Sequence, residues 1–199
     1  MWATIVTGQP AGYNGIFDFW QRSADGRFYA IDSTSRQGQA IWDILSAEGR
    51  ASGIVNVPCT YPPQKINGFM IAGPPLPGSH PSIAEAPSVY HDIIEKFGGY
   101  EPKDIFPGGR AKADYLNMIS ASIERQTQVI EYLMGEKSWD FFMTFYRASA
   151  MAQHYFWADM RENQLDNPFR AMLPETYRNL DQALGRLLRA AGPETLIII

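Results

Sequence analysis

At 199 residues the chain has the length of one domain, and a compact domain of that size buries roughly 70% of the surface its unfolded chain exposes. Hydrophobic residues make up 45% and charged residues 19%, which excludes the charge-rich, apolar-poor pattern of disorder. A net charge of −4 without any dense run of Lys or Arg excludes a nucleic-acid polymer as partner.

Met1 to Val6 is apolar and ends at Thr7-Gly8-Gln9-Pro10, as a short helix followed by Gly and Pro would. It lacks the charged start and long apolar run of a secretory signal, and no later segment reaches the roughly 20 apolar residues of a membrane span. A cytoplasmic location is the expectation. Thr34 with Gln37 has capping-box spacing, and Ile41, Ile44 and Leu45 then share a helical face before Gly49, which predicts a helix over 35–48. Ser52 to Val57 is a short β-branched run closed by Pro58, the pattern of a buried strand opening into a loop. Cys59 is the only cysteine, so no internal disulfide can form, and a small buried thiol is the expected state. A Cys59 nucleophile served by His80 or His91 lacks any supporting spacing.

Residues 62–87 are rich in Pro and Gly and read as a long loop. Helical spacing returns over 88–97 and strongly over 112–134, where Tyr115, Ile119, Ile123, Ile130 and Leu133 share one face and Gly135 closes the helix. Trp139 to Tyr146 is a continuous aromatic and apolar run, predicted as a strand buried on both faces of a parallel sheet. Pro174 near N1 opens a last helix over 174–191, ended by Gly192-Pro193. Thr195 to Ile199 reads as the start of a further central strand, and the chain is therefore expected to be truncated there. Strand and helix alternate as in an α/β fold with a mostly parallel sheet flanked by helices, and residues 1–199 are expected to form one partial domain.

In such sheets ligands bind beyond the carboxyl ends of the strands. That draws attention to Pro58-Cys59-Thr60-Tyr61-Pro62-Pro63 and to residues 147–157, where His154 follows the Trp139 to Tyr146 run. Thr60 and Tyr61 are candidates for substrate binding, although Thr-Tyr-Pro-Pro is also plain turn chemistry. His154 is a candidate metal ligand, although a His beside Tyr155, Phe156 and Trp157 also suits a hydrogen-bonded core position. It is expected near the loop carrying Thr60 and Tyr61. Asp18, Asp159 and Glu162 are carboxylates without diagnostic spacing, expected to be solvated.

Thr4-Ile5-Val6-Thr7-Gly8, Gly15-Ile16-Phe17-Asp18-Phe19, Ile41-Trp42-Asp43-Ile44-Leu45, Asn56-Val57-Pro58 with Thr60-Tyr61-Pro62-Pro63, and Asn67-Gly68-Phe69 together resemble the type I phosphodiesterase/nucleotide pyrophosphatase group of the alkaline phosphatase superfamily. Gln153-His154 with Phe156-Trp157 is similar to that group's segment ending in a metal-binding His. The resemblance implies an alkaline-phosphatase-like fold and a hydrolase using two divalent metal ions, usually Zn. A Thr or Ser at a helix N-terminus would attack the phosphorus of a small phosphate ester. It places the nucleophile just before Met1 and an Asp-His-Gly metal motif just after Ile199, so the chain is expected to be an internal fragment, inactive alone. Two positions depart from the pattern. Ala150 stands where a metal-ligating Asp is common, four residues before His154, and Asn14-Gly15 replaces His-Gly. Ala150 motivates an alternative, a non-catalytic binding or scaffold version of the domain. A sulfatase or phosphonate hydrolase on the same fold is a further alternative, and oligomeric state stays open.

Overall fold

The computed structural model describes residues 1–76, 81–100, 111–161 and 166–199. The fold is α/β, with a mixed, mostly parallel sheet accompanied by helices. The chain divides into two compact units, Met1–Lys103 with Lys137–Phe145, and Asp104–Glu136 with Tyr146–Ile199.

The first unit opens with α1 (Trp2–Thr7), capped by Gly8, and α2 (Ala11–Asn14). An antiparallel ribbon follows, β1 (Trp20–Arg22) against β2 (Phe28–Ala30). Its main sheet has the order β5-β4-β3-β6, made from β3 (Ser52–Val55), β4 (Gly68–Ile71), β5 (Ala84–Glu85) and β6 (Phe141–Thr144). β3 is parallel to both β4 and β6, and β5 runs antiparallel to β4. The register places Ile54, Met70 and Met143 side by side. Successive residues point to opposite faces of a strand, and this face packs with Val6 and with Trp42 of α3 (Ile41–Ala47).

On the other face Phe69 and Phe142 approach edge to face at 6.0 Å. They do so across Gly53, where a Cβ would lie 2.7 Å from each ring, so only glycine lets the rings close over the central strand. α4 (Pro87–Phe97) buries Val89, Tyr90 and Ile93.

The second unit is helical: α5 (Lys112–Glu136), α6 (Ala148–Arg161) and α7 (Met172–Ala191). Tyr115, Ile119 and Ile123 form one stripe of α5, at the spacing that recurs on a single helix face, and pack with Met151 and Phe156 of α6 and Leu173 of α7. Tyr155 meets Tyr115 edge-on at 4.4 Å between ring centroids. Arg186 binds Glu124 at 2.7 Å and also Glu131, tying α7 to α5.

Several expectations change. The helix expected over 35–48 begins only at Ile41, because the capping signals lie elsewhere. Asp32 caps a single 3-10 turn, Ser33–Ser35, and the Asp43 carboxylate accepts the Ala40 N–H at 2.7 Å to start α3. The presumed loop over 62–87 contains β4 and β5. Phe69-Met70-Ile71 is apolar enough to enter the sheet despite its Pro-rich flanks.

The run 139–146 shortens to Phe141–Thr144 and is half-buried rather than enclosed, since β6 is an edge strand among the described ones. Gly135 lies inside α5, and Pro174 is the third residue of α7. Residues 195–199 form no strand: Leu196, Ile198 and Ile199 are exposed. A β-branched run becomes a strand only when it pairs in a ladder, and residues 195–199 pair with no strand among the described residues.

Candidate functional site

Parallel strands aim their carboxyl ends at one rim of the sheet, and in the first unit the chain leaves β3 there in an unusual backbone. Asn56 and Cys59 have φ of 62° and 64°, a left-handed conformation that few non-glycine residues adopt and Asn tolerates best. The Asn56 N–H continues the ladder to the Ile71 carbonyl at 2.9 Å, and its side-chain amide donates to the Tyr100 hydroxyl. Its Oδ1 is buried without a hydrogen-bond partner among the described residues.

Gly73 passes directly over this bend. A Cβ there would lie 2.2 Å from the Asn56 carbonyl oxygen, so the close approach requires glycine.

Thr60 locks the two loops together. Its hydroxyl donates to the Val57 carbonyl at 2.6 Å and accepts the Gly73 N–H at 2.9 Å, and it is almost fully buried. Tyr61 is half-buried, and its carbonyl accepts the Ser33 N–H at 2.6 Å. The Ser33 hydroxyl donates to Pro62 at 2.6 Å. Both expected substrate-side residues thus sit on a rim braced by the 3-10 turn.

Cys59 donates its N–H to the Pro74 carbonyl at 2.9 Å, and burial pushes its thiol up to about 11. That suits the expected inert thiol, because the thiolate is the reactive form. His91 is exposed on α4, and His80 lies outside the described residues.

Next to Cys59 is an open pocket of about 130 Å³. Its floor is the small apolar cluster of Ala3, Ile16, Ile31 and Cys59. Trp2 and Phe19 wall it, and Met1, Phe17 and Asp18 stand exposed at its rim. Asn14, in place of the resembled His, is fully buried. It donates to the Gln9 carbonyl at 2.7 Å and accepts the Ile16 N–H at 3.0 Å, which fixes the loop forming the floor.

His154 belongs to the second unit, on an exposed face of α6, rather than in the hydrogen-bonded core position that its aromatic neighbours suggested. Ala150 lies one turn before it and is also exposed, at the i, i+4 spacing that brings two side chains together. Its methyl group offers no ligand.

Asp159 is not solvated as expected. It is buried, with Lys112 Nζ at 2.6 and 2.7 Å and Asn167 Nδ2 at 3.3 Å. Burial opposes its charge, but hydrogen bonds from Lys112 and Asn167 outweigh that and hold the carboxyl below its ordinary value. Glu162 lies outside the described residues. No group of three or more His, Cys, Asp or Glu suited to a metal ion occurs among the described residues, and no described helix is long and apolar enough to cross a membrane.

A mixed, mostly parallel sheet with a braced rim of loops at its carboxyl edge defines an α/β protein whose candidate site lies beyond the strand ends. More particularly, the chain belongs to the type I phosphodiesterase / nucleotide pyrophosphatase family, whose model matches residues 1–199. No curated protein and no solved structure matches the chain.

The sequence singled out Thr60, Tyr61 and His154 but not Asn56 or the pocket beside Cys59. The signal for Asn56 was present: a lone amide inside the apolar stretch Gly53 to Val57, immediately before the turn-forming Pro58.

Proposed function

We propose that the chain supplies scaffold and substrate-side surface to a metal-dependent phosphoesterase that hydrolyses phosphodiester or nucleotide pyrophosphate bonds in small molecules. The observation that carries this reading is the family match over residues 1–199. The braced loops at the rim of the sheet support it. In this reading Thr60 shapes the rim, Tyr61 meets the substrate and His154 lends one imidazole to a metal ion.

The described residues do not fit a zinc centre by themselves. Tetrahedral zinc takes about three protein ligands even where water fills the fourth position, and the helix face carrying His154 offers a methyl group at Ala150. No catalytic step is therefore assigned to a metal. Ala150 favours a second reading, a binding version of the domain without turnover.

Calorimetry of the metal-stripped chain with adenosine 5′-monophosphate and with zinc, alongside an assay of bis(4-nitrophenyl) phosphate, tests both readings. Saturable nucleotide binding without zinc-dependent turnover is expected. Absence of nucleotide binding counts against the phosphoester reading. Zinc-dependent turnover that disappears in His154→Ala overturns the supporting role, because the chain would then contain a complete catalytic site.

A further inference from the structure

We infer that the pocket walled by Trp2 and Phe19 is a subsite for a single uncharged aromatic ring carrying a hydroxyl group. Its volume of about 130 Å³ is close to the roughly 150 Å³ at which an apolar protein cavity accepts benzene. Its floor is apolar, and the side chains around it include the aromatic rings of Trp2, Phe17 and Phe19. Aromatic rings favour edge-to-face and offset contacts with other rings, beyond simple burial.

Phe17 stands 76% exposed at the rim. An exposed aromatic beside an apolar floor gains from any ring that lies between them, because both surfaces then leave water.

Asp18 adds direction. One of its carboxylate oxygens accepts the Phe19 N–H at 2.6 Å, and the other has no partner among the described residues. An ionised carboxylate only accepts hydrogen bonds, so it selects a ligand that donates, and a phenolic hydroxyl at the ring's edge meets that requirement. The thiol of Cys59 at the floor, pushed up to about 11 by burial, stays neutral and acts as apolar wall. As a place for the organic part of a substrate, this subsite rests on the phosphoester reading. As a ring pocket it does not.

Phenol and toluene are the probes, titrated into the full chain by calorimetry. Phenol should saturate and bind more tightly than toluene, with the preference abolished in Asp18→Ala. Phe17→Ala removes a side chain that supports no core, and it should weaken phenol roughly three- to tenfold, the scale of one lost aromatic contact. Phenol should also slow modification of Cys59, the only cysteine, by a small neutral thiol reagent, read by mass spectrometry. 4-Hydroxyphenyl phosphate, whose ring keeps a free hydroxyl to donate to Asp18, should bind about tenfold more tightly than methyl phosphate, an advantage lost in Phe17→Ala.

Phenol that does not saturate, or that binds Phe17→Ala equally well and leaves Cys59 unprotected, overturns the ring pocket. Equal affinity for phenol and toluene overturns the role of Asp18. Phenol binding without any phosphate-ester binding leaves the ring pocket standing and removes the phosphoester reading, and the converse result does the opposite.

Discussion

The two units handle buried polar groups in opposite ways. In the helical unit the buried Asp159 carboxylate is met by Lys112 and Asn167, Thr127 bonds the Ile123 carbonyl and Tyr146, and Arg186 is held by two glutamates. In the sheet unit Asn56 Oδ1, Ser52 Oγ, Thr144 Oγ1 and Arg36 Nε are buried without partners among the described residues, and the described non-glycine residues at positive φ, Asn56, Cys59 and Ala86, are all there. Unsatisfied groups and unfavourable backbone each cost on the order of 1–3 kcal/mol. They persist only where surrounding structure holds them, and they cluster where function needs a fixed geometry. The helical unit is arranged for stability, whereas the rim at the end of β3 gives some stability up for shape.

That contrast can be broken most directly at Gly73. Gly73→Ala forces a Cβ toward the Asn56 carbonyl oxygen, 2.2 Å away, and should destabilise the sheet unit by more than about 4 kcal/mol, a loss reserved for severe backbone conflict. Hydrogen exchange should show lost protection in β3 and β4 while α5 to α7 keep theirs. Equal loss in both units would mean that they do not open separately.

Thr60→Val comes next. It leaves the Gly73 N–H and the Val57 carbonyl without their hydroxyl partner, at a cost of about 2–4 kcal/mol from two unmet buried groups. Thr60→Ser keeps the hydroxyl and should lose about 1 kcal/mol or less. Denaturant melts of both variants check this, and equal losses would show that the methyl group, not the hydroxyl, holds the rim.

The smallest effect is in pH dependence. The carboxyl of Asp159 is held below its ordinary value in the folded chain, so its contribution is present above the unfolded value of about 3.9 and fades as pH falls through the lower folded value. Tyr146 runs the other way. Burial raises its phenol to about 12, so stability drawn from the neutral form is lost as pH rises from about 10 toward that value. The helical unit should therefore weaken below about pH 4 and above about pH 10, and Asp159→Asn should flatten the acid limb. An unchanged acid limb in that variant would remove Asp159 from the account.

Much of this fold was legible from side-chain periodicity and helix-end residues. Tyr115, Ile119 and Ile123 announced α5, Pro174 and Gly192-Pro193 bracketed α7, and the run from Ser52 to Val57 marked the central strand. What periodicity cannot give is pairing. β4 was hidden because Gly68 and the prolines around it read as loop, although its three apolar residues find β3. Residues 195–199 have the composition of a strand and lack a ladder. The site was partly legible. Thr60 and Tyr61 stood out by their place after a strand, but the double use of the Thr60 hydroxyl depends on Gly73, thirteen positions later, and no local pattern encodes that meeting. Family likeness carried the reaction class, and Ala150 and Asn14-Gly15 mark where the sequence departs from the pattern that likeness implies.

The central position of β3 bears on how the chain is born. Its partner on one side, β4, follows within the same stretch of sequence, but on the other side the Ala51 N–H waits for the Asp140 carboxylate, 89 positions downstream. At synthesis rates of about 5–20 residues per second, that edge of β3 stays open for roughly 4 to 18 seconds after it emerges. During this interval Ser-Gly-Ile-Val presents unpaired backbone and apolar side chains to any neighbouring strand. A nascent chain stalled between α5 and β6 consequently keeps this edge of β3 open for as long as the stall lasts.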